Sequence, residues 1–229
     1  MGTPKMDIID QPSPNHDARA GQTIDMLVLH YTGMQSLEEA VVRLTNPDAK
    51  VSAHYLVAES GEVFRMVDEK DTAWHAGVSF WRGETNINAR SIGVEIENPG
   101  HAFGYRPFPE VQISSLILLC RKILRQHTIP SRNVVGHSDV APARKEDPGE
   151  LFDWPRLAEN GIGFWPKSVS GPVQQTDFEP VTALSTIGYD VGDIRAALMA
   201  FQRHFYPSHL TGEADTGTCR RLARVIESI

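Results

Sequence analysis

The sequence has little of several features that would assign a protein to a class at once. Its 229 residues include only two cysteines, Cys120 and Cys219, which are too few for a disulfide framework, so both are expected to be free thiols. The net charge of −7 argues against a protein that binds nucleic acid through its phosphates. No apolar run approaches the roughly 18–20 residues of a membrane span. A chain of this length buries about 70% of its unfolded surface, so it needs neither disulfides nor a metal merely to fold.

The N-terminus also lacks the apolar stretch of a secretory signal. Residues 1–7 read MGTPKMD, a polar segment with no hydrophobic centre. We therefore expect a cytoplasmic protein. A periplasmic or envelope location is the alternative if an export signal has been removed from the chain.

One change in composition divides the chain. Residues 166–180 contain three prolines, a glycine and mostly small polar side chains, which is the composition of a linker. The sequence thus predicts a first domain over residues 1–166, a linker over 167–179 and a small domain over 180–229. Since the linker is polar, we expect few core contacts to cross it.

The first of these domains alternates between strand and helix patterns. Short apolar runs predict strands over residues 26–29, 53–58, 62–67, 91–97 and 133–135, the second and third forming a hairpin around Gly61. Ser36 begins a capping box, and residues 113–124 have the 3.6-residue period of a helix that must end before Pro130. These patterns predict an α/β fold, a mixed sheet with helices packed on it. The last fifty residues read as helices, with Asp193 and Asp215 as N-caps.

Two histidines stand where strands end. His30 and His137 each follow an apolar strand and precede a turn, and Asp147 comes ten residues after His137. Two imidazoles and one carboxylate, with a fourth position left to water, form the ligand set of a catalytic zinc. Spacing alone leaves open that these are ordinary polar residues of the sheet. We expect His54 to be a hydrogen-bonded histidine of the sheet, and the histidines at 16, 101, 127, 204 and 209 to lie at the surface.

Two charged residues near these positions have two interpretations each. Glu95 lies in a strand whose Ile92, Val94 and Ile96 face the opposite side, so it is either a general base beside a metal or part of a solvated sheet face. Lys145 precedes Asp147 by two residues, so the two point the same way in an extended segment. It either stabilises a developing oxyanion or belongs to a solvated charge run.

Six segments in order resemble a known family. They cover most of residues 20–155 and read LHYT (29–32), SAHYLV (52–57), AWHAG (73–77), SIGVEI (91–96), GHSDVAP (136–142) and KEDPG (145–149). Together they resemble the zinc-dependent N-acetylmuramoyl-L-alanine amidases of the AmpD-like and AmiD-like branch, which are related to phage T7 lysozyme and to peptidoglycan recognition proteins.

The resemblance implies a fold, a reaction and a set of site residues. The fold would be a mixed sheet of five or six strands with helices and a groove for glycan and stem peptide. One Zn²⁺ would be held by His30, His137 and Asp147, with Glu95 as the catalytic glutamate and Lys145 as the residue that stabilises the oxyanion. The enzyme would hydrolyse the amide between the lactyl group of N-acetylmuramic acid and L-alanine, in cell-wall turnover and recycling.

The resemblance also bears on binding. Trp74, His75 and Asn98 fall where the family binds substrate, which is peptidoglycan or an (anhydro)muropeptide; no nucleic acid, membrane span or obligate protein partner is implied. Segments at residues 187–190, 200–205 and 211–218 resemble a three-helix peptidoglycan-binding module. Two alternatives stay open: a non-catalytic peptidoglycan-recognition module, and a zinc peptidase that cuts within the stem peptide.

Overall fold

A computed structural model describes residues 7–166 and 179–229, so the predicted linker lies outside the described residues except for Glu179. The described strands are β1 (Ile8–Asp10), β2 (His16–Ala18), β3 (Met26–Tyr31), β4 (Tyr55–Val57), β5 (Val63–Arg65), β6 (Asp71–Ala73), β7 (Ser91–Ile96) and β8 (Val134–Gly136). Six of them form one sheet in the order β1-β5-β4-β7-β3-β8, and β2 pairs with β6 separately. The predicted mixed sheet is confirmed.

The central strands of the sheet are parallel. β3 pairs in parallel with β7 on one side and with β8 on the other, and β7 is also parallel to β4. Among the described strands of the six-stranded sheet, only β4 and β5 pair antiparallel, as the predicted hairpin. Strands buried on both faces read as continuous apolar runs, which is why residues 26–29 were recognisable. The short strands β1, β2 and β6 have no such pattern, and the sequence did not predict them.

The helices begin where the capping residues indicate. Ser36, Asp193 and Asp215 each accept a hydrogen bond from the backbone N–H three residues ahead. The helices are α1 (Leu37–Thr45), α2 (Ile87–Arg90), α3 (Gly100–Phe103), α4 (Glu110–Gln126), α5 (His137–Val140), α6 (Trp154–Glu159), α7 (Pro180–Ile187), α8 (Ile194–Phe205) and α9 (Thr216–Ser228). None of these helices is both long and apolar enough to cross a membrane.

The two faces of the sheet are covered by different parts of the chain. One face buries Leu27, Leu29 and Ile92 against the apolar side of α4, which includes the free thiol of Cys120. The other face, to which Met26 and Val28 point, is in one apolar cluster with residues of α7, α8 and α9. The C-terminal helices therefore complete the core of the sheet.

This shared core corrects the expectation that few contacts cross between the two predicted domains. Tyr189 packs edge-on against Trp81 with ring centroids 5.2 Å apart. The backbone N–H of Arg82 donates to the carbonyl of Gly188 at 2.9 Å, and a Cβ at Gly188 would come within 2.6 Å of the Arg82 Cγ. The composition of a polar linker carries no information about the apolar faces of the segments on either side of it. The prediction of few contacts between them was therefore wrong.

We predict that Phe201→Ala destabilises the whole chain by about 3–5 kcal/mol, because Phe201 is fully buried in the shared core. All four tryptophans (74, 81, 154 and 165) precede the C-terminal helices, so their fluorescence reports unfolding of the sheet region. The denaturation midpoint measured by this fluorescence should fall.

The matched control is Ile194→Ala on the same helix. Ile194 is 45% exposed, so this change should stay within about 0.5 kcal/mol. If Phe201→Ala leaves the fluorescence midpoint unchanged while helical circular dichroism is lost earlier, the C-terminal helices unfold independently and the shared core is not a cooperative unit.

Candidate active site

Parallel pairing brings the predicted site residues to one edge of the sheet. His30 of β3 lies opposite Glu95 of β7, and Leu29 lies opposite Gly136 of β8. His137 follows Gly136 directly, so it leaves the sheet at the same edge. Ligands of such sheets bind at the carboxyl ends of the strands, and this is where the two histidines and the glutamate meet.

Asp147 reaches this edge from the loop after α5. Its backbone carbonyl accepts a hydrogen bond from the Ser138 N–H at 2.9 Å, which holds the loop against the start of α5. The His30 and His137 Nδ1 atoms are 2.9 Å apart, and Asp147 Oδ2 lies 3.2 Å from the first and 3.0 Å from the second. The structure thus brings together all three predicted metal ligands, and all three are buried.

A chain of hydrogen bonds fixes which nitrogen of His30 carries its proton. The Ser91 hydroxyl donates to the carbonyl of Ile87 at 2.7 Å, so it accepts from His75 Nε2 at 3.0 Å. His75 Nδ1 is then an acceptor and receives the Nε2–H of His30 at 3.0 Å. This leaves His30 Nδ1 without a proton, facing the other two ligand atoms.

The second histidine is oriented by the backbone. His137 Nε2 donates to the carbonyl of Ala76 at 3.1 Å, so its Nδ1 is also bare. Burial, and then the nearby His137, lower the pKa of His30 to about 4, so this imidazole is neutral at physiological pH.

These three atoms fit a bound cation. Two unprotonated nitrogens and a carboxylate oxygen are all acceptors, and acceptors 2.9–3.2 Å apart repel one another without a positive charge between them. A tetrahedral ion with bonds of about 2.0–2.1 Å would separate its ligands by about 3.3 Å. The donor set therefore suits a divalent transition-metal ion, with each histidine held from behind by its other nitrogen.

Glu95 lies beside this cluster with an unused oxygen. Its side chain is 9% exposed, and Oε2 has no hydrogen-bond partner within the described ranges. Burial, with the charge of Asp147 adding to it, raises the pKa of Glu95 well above its usual range, while Lys145 acts in the opposite direction. A raised pKa on an unpaired buried carboxyl is typical of a general acid or base.

The site opens into a cleft of about 720 Å³. Glu95 and Lys145 line it together with two of the candidate ligands, His137 and Asp147. Its walls also include Tyr31 and His101, and four residues of α8, namely Arg195, Ala196, Met199 and Arg203. The cleft is therefore built from both predicted domains.

The three predicted substrate-binding residues have different positions. Trp74 lies outside the cleft, because its Nε1 donates to Asp17 Oδ2 at 2.6 Å. Asn98 is also outside it; this buried amide donates to the Arg106 carbonyl and accepts from the Gly100 N–H. His75 does border the cleft, yet both its nitrogens are engaged in the hydrogen-bond chain behind His30. Of the three, only His75 borders the cleft, and a role of these residues in substrate binding stays a prediction.

His75 can occupy this position because Gly93 lies beneath it. A Cβ at position 93 would come 2.4 Å from the His75 Cγ, so only glycine in β7 leaves room for the ring. In the sequence, Gly93 lies on the same face of the strand as Glu95. A glycine on that face was the signal that another side chain could pack closely against the strand.

Of the histidines expected at the surface, His101 is exposed as expected, whereas His204 is not. His101 borders the cleft, where it contacts the Tyr31 hydroxyl at 2.9 Å and stacks on Tyr105. His204 is buried, and its Nδ1 donates to Asp139 Oδ2 at 2.7 Å. His204 comes three residues after Phe201 and so shares its buried helix face, a signal that the sequence analysis missed. His54 is the hydrogen-bonded sheet residue that was expected, since its Nδ1 accepts from the Gly93 N–H.

The chain belongs to the N-acetylmuramoyl-L-alanine amidase family. A family model of that description matches residues 20–150, which include both histidines, Glu95 and Asp147. The chain is 39% identical to the N-acetylmuramoyl-L-alanine amidase AmiD of Escherichia coli K12, over 85% of this chain and 79% of AmiD. It is 32% identical to the 1,6-anhydro-N-acetylmuramyl-L-alanine amidase AmpD of Enterobacter cloacae, over 64% of this chain and 86% of AmpD.

Solved structures agree with this assignment. E. coli AmiD in complex with anhydro-N-acetylmuramic acid-L-Ala-D-gamma-Glu-L-Lys superposes with a TM-score of 0.79 at 37% identity, covering 93% of this chain and 92% of AmiD. AmpDh3 of Pseudomonas aeruginosa with an anhydromuramic pentapeptide gives a TM-score of 0.79 at 32% identity, covering 100% and 95%. The resemblance found in the sequence is confirmed.

The hydrogen-bond chain behind His30 yields a prediction. His75→Leu removes the acceptor for the His30 Nε2–H and should weaken zinc binding by roughly 10–100-fold, the usual cost of losing such a partner. Competition with a chromophoric chelator measures this affinity directly.

The matched variant is His75→Asn, whose side-chain oxygen can take the place of Nδ1 as acceptor. It should bind zinc more tightly than His75→Leu. Equal affinity of both variants and the unmodified protein would show that His75 does not orient His30.

Proposed function

We propose that this protein is a zinc hydrolase that cleaves the amide bond between the lactyl group of N-acetylmuramic acid and L-alanine. One observation carries the proposal. Three unprotonated acceptor atoms of His30, His137 and Asp147 converge at the edge of a cleft that His137, Asp147 and Glu95 line, and Glu95 has a buried oxygen with no hydrogen-bond partner among the described residues. The names of AmiD and AmpD, and the muropeptides bound to AmiD and AmpDh3, support this choice of substrate.

The site residues have separate roles in the hydrolysis. His30, His137 and Asp147 would hold one zinc ion, which when bound polarises an amide carbonyl and lowers the pKa of a water molecule. The Glu95 carboxylate takes a proton from the attacking water, since Glu95 borders the cleft and its Oε2 has no hydrogen-bond partner among the described residues. Glu95 then delivers this proton to the departing nitrogen. The water oxygen bonds to the carbonyl carbon and the C–N bond breaks, so the lactyl group ends in a carboxylate and L-alanine leaves with a free amine.

Lys145 contributes charge at the same site. Its ammonium borders the cleft and lies near enough to Glu95 to oppose the rise in the pKa of that carboxyl. A fixed positive charge here stabilises the negative charge that develops on the carbonyl oxygen. Of the predicted site residues, Lys145 and Glu95 are thus the two with catalytic roles, whereas His75 supports a ligand.

The C-terminal helices have a proposed role as well. We propose that residues 180–229 form a small helical peptidoglycan-binding domain after a linker at 167–179. Two observations support a role in substrate binding: α8 lines the cleft, and the similarity to AmiD and AmpDh3 extends over most of the chain. Both polymeric peptidoglycan and soluble (anhydro)muropeptide fit this proposal, and the cytoplasmic location stays a prediction.

The sequence leaves two other functions open. A non-catalytic recognition module would not require a buried, unpaired carboxyl beside the ligand set, and keeping Glu95 in that state costs free energy. A peptidase acting within the stem peptide would use the same chemistry on a different bond. The identity of the cleaved bond therefore decides between amidase and peptidase.

The test is Glu95→Gln with an anhydromuramoyl peptide as substrate. The zinc-loaded unmodified protein should release anhydromuramic acid and a peptide that begins with L-alanine, as identified by mass spectrometry. Glu95→Gln should keep its zinc but lose about 10²–10⁴-fold in turnover, because an amide cannot accept the proton.

Glu97→Gln is the matched control from the same segment. Its carboxylate accepts from the backbone N–H of Glu59 and takes no part in the cleft, so activity should be retained. Products cut within the peptide would contradict the amidase proposal. Loss of zinc together with activity in Glu95→Gln would mean that Glu95 is a ligand or a structural residue.

A further inference from the structure

We propose that the C-terminal helices help to hold the metal site, through two hydrogen bonds to Asp139 that fix the position of His137. Tyr189 and His204 are the positioning residues in this arrangement. The inference rests on the proposed metal site, but it concerns a part of the chain that supplies none of the metal ligands.

Asp139 is the point at which the two parts of the chain meet. Its carboxylate is 1% exposed and accepts three short hydrogen bonds. Oδ2 receives the Gly136 N–H at 2.7 Å and the His204 Nδ1–H at 2.7 Å, and Oδ1 receives the Tyr189 hydroxyl at 2.6 Å. One bond thus comes from the end of β8, one from His204 of α8 and one from Tyr189 in the loop between α7 and α8.

The two C-terminal donors are held rigidly. The His204 ring is sandwiched between Trp154, at a centroid distance of 3.8 Å, and Phe205, at 3.9 Å, with nearly parallel planes. Tyr189 is fully buried and meets Trp81 edge-on. Because packing fixes both rings, their hydrogen bonds place the Asp139 carboxylate at one point.

His137 lies within this clamped segment. α5 is a single turn that begins at His137, and Asp139 is its third residue. The Asp139 carboxylate connects this turn to Gly136, to Tyr189 and to His204. On its other side the His137 ring is anchored by Nε2 on the carbonyl of Ala76. Without the bonds from Tyr189 and His204, Asp139 would keep only its hydrogen bond from Gly136, and a buried carboxylate would be left with unmet acceptor capacity.

The affinity of a metal site depends on how firmly each ligand is held in position. A ligand must be held close to its productive position, and that requires support from the residues behind it. Loss of an outer hydrogen bond typically weakens metal binding by roughly 10–100-fold. The structure therefore links the C-terminal helices to metal affinity, which a helical module that only binds peptidoglycan would not affect.

The test measures zinc affinity of the full chain by competition with a chromophoric chelator, beside the melting temperature of the metal-free protein. Tyr189→Phe removes only a hydroxyl, and His204→Phe keeps the stacked ring but removes the donor. Both should bind zinc roughly 10–100-fold more weakly. His204→Asn keeps a donor near the position of Nδ1 and should bind more tightly than His204→Phe.

The matched control is His209→Phe. His209 Nε2 donates to Asp215 Oδ2 at 2.6 Å, so this change also removes a hydrogen bond of the C-terminal helices, but one that does not involve Asp139. Its zinc affinity should equal that of the unmodified protein.

Two results would overturn the inference. Unchanged zinc affinity in Tyr189→Phe and His204→Phe, with only a lower melting temperature, would mean that the two bonds serve stability alone. An equal loss of affinity in His209→Phe would mean that any weakening of the helices has the same effect. An unmodified protein that binds no zinc would instead overturn the proposed function.

Discussion

The parallel pairing of β3 with β7 and with β8 is the constraint on which the rest of the structure depends. It places the ends of three strands at one edge, so that residues 30, 95 and 137, far apart in sequence, become neighbours. The apolar residues of β3 and β7 fix this register, because a shift by one residue would turn the His30 and Glu95 side chains into the apolar core on the opposite face of the sheet. The same hydrophobic burial that stabilises the sheet thus also assembles the site.

Burial then decides the protonation of the assembled groups. Burial lowers the pKa of His30 and of His75, so both imidazoles are neutral, and it raises the pKa of Glu95, which makes its carboxylate a stronger proton acceptor. A cluster of acceptors without protons is unfavourable in a protein interior unless a cation compensates for it. We infer that a bound cation would offset the free-energy cost of burying these acceptors together. The unpaired oxygen of Glu95 remains available for proton transfer.

Much of this could be predicted from the sequence. Apolar runs, helix periodicity and the caps at Ser36, Asp193 and Asp215 indicated the main elements, and strand-end histidines pointed to the ligand set that the structure brings together. The roles of the site residues remain proposals. What could not be predicted depends on contacts distant in sequence: nothing local to His204 reveals that Asp139 is its partner.

The central claim is that one zinc ion is held by two Nδ1 atoms and one carboxylate oxygen. X-ray diffraction from crystals of protein purified without chelator, recorded on both sides of the zinc absorption edge, tests it most directly. The account predicts one anomalous peak per chain, bonded to His30 Nδ1, His137 Nδ1 and Asp147 Oδ2, with Glu95 outside the ligand set. A zinc-supplemented crystal with no peak there, or an ion bound through Glu95 or through Nε2 of either histidine, would contradict it.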